Sequence, residues 1–408
     1  MATERNPYDK IPSAEVIQIP DQGANIEIGE TVSFDIEEDG GVVVSFENDN
    51  VFTDHNTNGP YDNLFPSLRT YLLTDELPEK YILNIATPQL NTDDINFFDF
   101  FNSNVKLLDD LKSGNAKILI NRIGEFDNFL DGKIIGLQHP KILKALDDLN
   151  VSRNNVLYLN FNSLVEEVCQ DNIKVKYHNF TRFNSYSIHK KNEDLYRESF
   201  ERQKDVLREY YYLCYNNIEK PHRKFIVDFL LKRETKGLLS SSWNDIFLDD
   251  AKPPNDPNRW SQFNTNLYYY FNREHFNNSY FSIITESHYS DSTGSLNLTF
   301  TEKTWKPILN FHPFCLVGAK NSISKLKSFG FETFTELFDE SYDVVDDENR
   351  VVEISKQLNN IFLMSIDEVN DIYYSIEEKL VYNFHHFFRL CEVEIKELEK
   401  YLLKFCNS

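Results

Sequence analysis

From residue 81 onward the chain alternates between short apolar runs and longer stretches whose apolar residues recur three or four apart. Apolar runs at 81–86, 116–120, 155–160 and 173–177 predict strands, and the stretches between them at 97–111, 140–149 and 163–170 predict helices. Strands separated by helices of this length predict βαβ units and a parallel sheet. A charge-dense helical stretch at 193–209 joins this series to a second one. That series has strands at 210–215, 237–242, 281–285 and 314–318, helices at 222–234 and 302–310, and a polar, Pro-rich insertion at 249–260. Residues 350–405 predict a helical tail ending in a Glu/Lys-rich amphipathic helix over 391–405.

The first 75 residues follow a different rhythm. Apolar runs at 32–36 and 42–46 flank Asp39-Gly40, a strong hairpin signal, and 48–66 is loop-like in its Asn, Asp, Gly and Pro. The expected fold class is therefore α/β. Two Rossmann-like parallel-sheet domains at 76–205 and 206–350 follow a β-rich extension over 1–75 and precede a helical tail over 351–408. Two such sheets in sequence create a cleft, and ligands of parallel sheets bind at the carboxyl ends of the strands.

Composition narrows the function. Lys+Arg 42 against Asp+Glu 65 gives a net charge of −23 in 408 residues, which opposes broad nucleic-acid or anionic-membrane binding. The five cysteines include no CxxC pair, so neither a disulfide framework nor a zinc cluster is signalled. No apolar run approaches a membrane span, and the N-terminus has no cleavage pattern, so a cytoplasmic protein (host cytoplasm if viral) is expected. Walker and GxGxxG loops are missing, which removes the main support for ATPase and dehydrogenase readings. No DxD site follows a strand, and no metal or cofactor is expected.

Two segments carry candidate chemistry. In 298–309, Thr299 and Glu302 have capping-box spacing, marking a helix start that can attract an anion, and Thr301, Lys303 and Lys306 lie in the same run. In 213–225, Lys220, His222, Arg223 and Lys224 crowd a helix start opened by Pro221. Cations there oppose the helix dipole, at a few tenths of a kcal/mol each, unless an anion is present. Together they offer what a diphosphate leaving group requires.

The segments Lys220-Pro-His-Arg223, Phe281-Ser-Ile-Ile-Thr-Glu286 and Phe300-Thr-Glu-Lys-Thr-Trp-Lys-Pro-Ile308, with His312-Pro-Phe314, resemble a glycosyltransferase donor domain. Residues 205–350 are similar to the donor half of α1,3-fucosyltransferase-like enzymes and to glycosyltransferase-like proteins of phages and marine microbes. The resemblance implies a GT-B-type fold and metal-independent transfer from a nucleotide sugar. It implies that Arg223 and Lys303 hold the diphosphate, Glu302 the ribose, and that Glu286 faces the sugar. Thr304-Trp305-Lys306-Pro307 departs from the small aliphatic residue that follows the Glu-Lys pair in fucosyltransferases, so fucose is not implied.

An inverting mechanism needs a carboxylate to deprotonate the acceptor hydroxyl. Glu125, then Asp127, after the strand at 116–120, are the candidates. The acceptor is expected to be a saccharide or, in phage DNA, a hydroxymethylated base. DNA binding would use a basic strip of Lys174, Lys176, Arg182, His189, Lys190 and Lys191. A non-catalytic virion, assembly or binding protein with a glycosyltransferase-like fold is the alternative. His385 and His386 are read as one exposed and one packed helix residue, and the acid run 343–350 as a solvated connection.

Overall fold

The computed structural model describes residues 33–36, 42–45, 80–86, 97–103, 105–121, 129–130, 133–134, 139–170, 172–204, 206–248, 271–289 and 297–408. Near the amino end, β1 (Ser33–Ile36) pairs antiparallel with β2 (Val42–Ser45), the hairpin expected around Asp39-Gly40. The rest of the expected extension, the loop holding Glu125 and Asp127, and the 249–260 insertion lie outside the described residues.

Both main sheets are parallel. In the first, β3 (Tyr81–Ala86), β4 (Ala116–Asn121), β7 (Val156–Asn160) and β8 (Lys174–Tyr177) lie in chain order. The two-residue strands β5 (Phe129–Leu130) and β6 (Lys133–Ile134) form a separate antiparallel pair. Helices α1 (Phe97–Ser103) and α2 (Val105–Ser113) connect β3 to β4, α3 (His139–Asp148) precedes β7, and α4 (Val165–Val168) precedes β8. The single helix expected over 97–111 is therefore two. Parallel strands covered on both faces read as near-continuous apolar runs. Every residue of β7 is buried, as are those of two strands in the second sheet, β11 (Ser279–Thr285) and β12 (Phe314–Val317).

Helices α5 (Phe180–His189) and α6 (Glu193–Arg202) lead from the first sheet to the second, whose other strands are β9 (Tyr210–Asn216) and β10 (Gly237–Ser241). Its order is β10-β9-β11-β12, with α7 (Pro221–Leu231) after β9, α8 (Arg273–Asn277) before β11, and α9 (Glu302–Leu309) between β11 and β12. The chain leaves β9 toward one edge and later returns on its other side. The gap between the carboxyl ends of β9 and β11 is thus a topological switch point, where parallel sheets place their ligands. Helices α10 (Ser322–Ser328), α11 (Asp347–Phe362), α12 (Ile366–Ser375) and α13 (Glu377–Asn407) follow β12.

Helix α13 spans about 46 Å at 1.5 Å per residue and links both sheets. Its first half packs Phe384 against Phe311, whose other face meets Phe200, with ring centroids 4.3 Å apart in both pairs. Its far end meets three lysines of the first sheet. Lys80 Nζ donates to the Asn407 carbonyl at 3.2 Å, Lys174 lies 4.7 Å over the Phe405 ring, and Lys117 lies 5.9 Å from the same ring. Cations at a helix carboxyl end complement its dipole.

Two expectations are corrected here. The acid run at 343–350 is a solvated connection only in its middle, where Asp346 and Glu348 are exposed, whereas Asp343 and Arg350 at its ends are 4% and 1% exposed. Asp343 accepts the Ile323 and Ser324 amides of α10 at 2.8 and 2.9 Å, and Arg350 donates to the Tyr289 carbonyl at 2.6 Å. The basic strip is not a continuous exposed row either. Arg182 and His189 are buried, Arg182 pairs with Glu394, Lys176 with Glu166, and Lys190 with Glu193 and Glu392. Helix α5, which had no counterpart in the predicted elements, turns Arg182 and His189 inward. The two histidines of α13 behave as expected. His386 Nε2 donates to the Phe329 carbonyl at 2.7 Å, and His385 is 43% exposed.

Candidate functional site

The loops at the carboxyl ends of the two sheets meet. After β7, the Ser163 amide and hydroxyl both donate to the Leu298 carbonyl, at 2.9 and 2.8 Å, and Asn162 Oδ1 accepts the Leu298 amide at 3.1 Å. After β8, Asn179 Nδ2 and Thr181 Oγ1 each donate to the Phe300 carbonyl at 3.1 Å. The segment 297–301 that follows β11 is therefore held by the first sheet while it leads into α9.

At the switch point, the basic start of α7 converges on the end of β11. Lys220 Nζ donates to the Ser287 carbonyl at 2.7 Å. His222 Nε2 lies 2.9 Å and Arg223 Nη2 3.3 Å from the Glu286 carbonyl, and Arg223 Nη1 donates to the Ile218 carbonyl at 3.0 Å. A carbonyl only accepts, so His222 carries its proton on Nε2. Burial holds its pKa down to about 3, so the imidazole is neutral at physiological pH. Its ring stacks on Tyr289 at 4.8 Å. Between the two strands, Thr285 Oγ1 donates to Asn216 Oδ1 at 2.6 Å.

The Glu286 side chain is 1% exposed and is engaged by the start of α9. Its Oε1 accepts the Thr301 amide at 3.0 Å and the Thr304 hydroxyl at 2.6 Å; its Oε2 accepts the Thr301 hydroxyl at 2.7 Å and the Ser287 amide at 3.1 Å. Burial pushes this carboxyl up, against the pull of Lys303 and the donors of Thr304 and Thr301. The side chain expected to face a sugar thus joins a strand end to a helix start. The capping box expected from Thr299 is also displaced. Thr301 is the N-cap, Glu302 opens the helix, and the carboxylate that serves the cap comes from Glu286.

Glu302, 4% exposed, pairs with Lys303 Nζ at 3.0 Å. Burial acts upward on Glu302, but Lys303 and Lys306 outweigh it and its carboxyl lies below the ordinary range. Lys306 is held down to about 8 by burial, with Glu302 opposing the shift. Lys220, His222, Arg223, Glu286, Thr301, Glu302 and Lys303 thus form one chain of contacts around the carboxyl end of β11, with Lys306 beside Glu302. Among the described residues no group of three or more His, Cys, Asp or Glu could hold a metal ion, and no helix is long and apolar enough to cross a membrane.

A cleft of about 370 Å³ opens beyond this cluster, at the carboxyl ends of β11 and β12. Leu164 and Glu167 of the first sheet's loop and α4 line one wall; Tyr289, Asn297, Lys320 and Lys325 are among the residues of the other. None of the candidate residues named from sequence lines it, although Tyr289 links it to His222. The turn 319–321 and the start of α10 had no signal in the sequence beyond Gly318 closing a strand ahead of a short helix. Comparison of the chain with known families, curated proteins and solved structures gives no match.

Proposed function

We propose that this protein is a glycosyltransferase that moves a sugar from a nucleotide-sugar donor to a hydroxyl acceptor. One observation carries this reading: Lys220, His222, Arg223 and Lys303, picked out as diphosphate ligands, gather at the topological switch point of a parallel sheet. In this reading Lys220, Arg223, Lys303 and Lys306 meet the charge that develops on the departing diphosphate, in place of a metal ion. Fixed cations in a partly buried site are effective there because they need no reorganisation during the reaction. Glu302 receives the ribose. Glu286 holds the start of α9 in register rather than touching the sugar. Glu125 or Asp127 supplies the base for an inverting transfer. A saccharide is favoured as acceptor over a hydroxymethylated base in DNA, because Arg182, His189, Lys176 and Lys190 are engaged within the chain.

A second reading, a non-catalytic virion, assembly or binding protein, is favoured by the degree to which Glu286 and His222 are already satisfied internally and Arg223 is engaged by two carbonyls. Chromatography of reactions containing single nucleotide sugars and candidate acceptors separates the two. Release of nucleoside diphosphate coupled to a glycosylated product supports the transferase, and its failure across the common sugars supports the binding protein.

A further inference from the structure

Two lysines stand on the wall of the cleft between α4 and α10. Lys320 is exposed and makes no ion pair among the described residues. Lys325 reaches across the cleft to Glu167 on α4 at 2.9 Å. That carboxylate is 65% exposed, so water screens the pair and it is weakly held. A better-held anion can displace it. The amides of Ile323 and Ser324 nearby are taken by Asp343, which leaves the lysines as the cationic groups of this wall. Also lining the cleft, Asn297, 6% exposed, contacts His288 through its amide nitrogen, while its amide oxygen has no partner among the described residues. The chain as a whole carries −23 charges, a field that repels anions. Within the cleft the two lysines stand against two carboxylates, Glu167 and Asp347, and Asp347 is already paired with Arg350 at 2.5 Å, so displacement of Glu167 leaves the lining locally cationic.

We propose that the cleft binds the second substrate and that this substrate carries an anionic group, a carboxylate or a phosphate. The anion replaces Glu167 beside Lys325, and Lys320 offsets its remaining charge. The volume of about 370 Å³ suits a ligand of sugar size, at the lower end of the usual 300–1,000 Å³ for small-molecule sites. Naming this ligand the acceptor rests on the transferase reading; the anion site rests on the cleft alone.

Titration calorimetry on the full chain at low salt, first with a nucleoside diphosphate and then with glucuronate, glucose 6-phosphate or glucose, tests the site. Both anionic probes are expected to bind about tenfold or more tighter than glucose, and the stronger of the two identifies the anion. Lys325→Gln removes this preference. Glu167→Gln, which frees Lys325, tightens the anionic probes several-fold and leaves glucose unchanged. Equal affinity for all three sugars, no binding of any, or indifference to both substitutions overturns the anion site. Failure of the nucleoside diphosphate in the first stage counts against the transferase reading alone, and the sugar titrations are then run without it.

Discussion

The Glu286 carboxylate accepts the Thr304 hydroxyl at 2.6 Å, so the end of β11 fixes the first turn of a helix that opens sixteen residues later. The same carboxylate accepts two donors from Thr301, and these contacts set where Glu302 and Lys303 emerge.

Glu286→Gln leaves at least one buried donor without an acceptor, and it is expected to cost about 1–3 kcal/mol of stability. It also changes the pH dependence. The folded carboxyl is raised above its unfolded value, so the folded state binds the proton more tightly. Stability from this group is present at low pH and falls as pH rises from the unfolded pKa through the folded one. Denaturant melts between pH 4 and neutrality are expected to show a shallower decline for the variant than for the wild-type protein.

Arg182 is fully buried between the rings of Trp305 and Phe329, at 5.4 and 5.5 Å, and pairs with Glu394. Truncating one partner of a buried pair leaves an uncompensated charge, at about 3–5 kcal/mol. Glu394 is 24% exposed, so Glu394→Ala is expected at or below the low end of that range. Arg182→Met combined with Glu394→Gln is expected to recover most of the loss in urea melts. An additive double variant would remove the coupling.

Gly237, the first residue of β10, sits under the buried ring of Tyr212, where an added Cβ would lie 2.1 Å from Cζ. Gly237→Ala must displace that ring. It is expected to destabilise the second sheet by about 1–3 kcal/mol, as overpacking does. Tyr212→Leu in the same chain relieves the clash, so the melting temperature of the double variant should exceed the value that additivity gives.

The parallel strands were legible because each is a short apolar run, and the basic start of α7 was legible because cations at a helix amino end have no local reason to gather. Long-range contacts account for what was not. Helix α9 opens at Glu302 as expected, but its cap is Thr301 rather than Thr299 because the carboxylate that serves it arrives from β11, outside any local window. Asp343 and Arg350 looked solvated in an acid run, yet they are buried by α10 and Tyr289. Helix α5 carries Arg182 and His189 inward, so a basic spacing that resembled a strip became core and ion pairs.

Lys303 is only partly buried but pairs with the buried Glu302, so Lys303→Gln is expected to lower stability while the protein still folds. Under the transferase reading it lowers turnover about tenfold or more, the loss of one charged contact in the transition state. Arg223→Ala is expected to lower turnover similarly and also stability, because the Ile218 and Glu286 carbonyls lose a donor. Initial rates alongside circular-dichroism melts separate the two effects. Full activity in both variants would remove these residues from the donor site.

The most direct measurement is a thermal-shift panel of nucleoside diphosphates and nucleotide sugars, with and without a divalent cation, on the wild-type chain and Lys303→Gln. A ligand at about 100 times its dissociation constant adds roughly 2.7 kcal/mol. Donor binding at the switch point predicts a clear, metal-independent shift with one nucleotide family that weakens in Lys303→Gln. No shift with any nucleotide, or an equal shift in the variant, would contradict it.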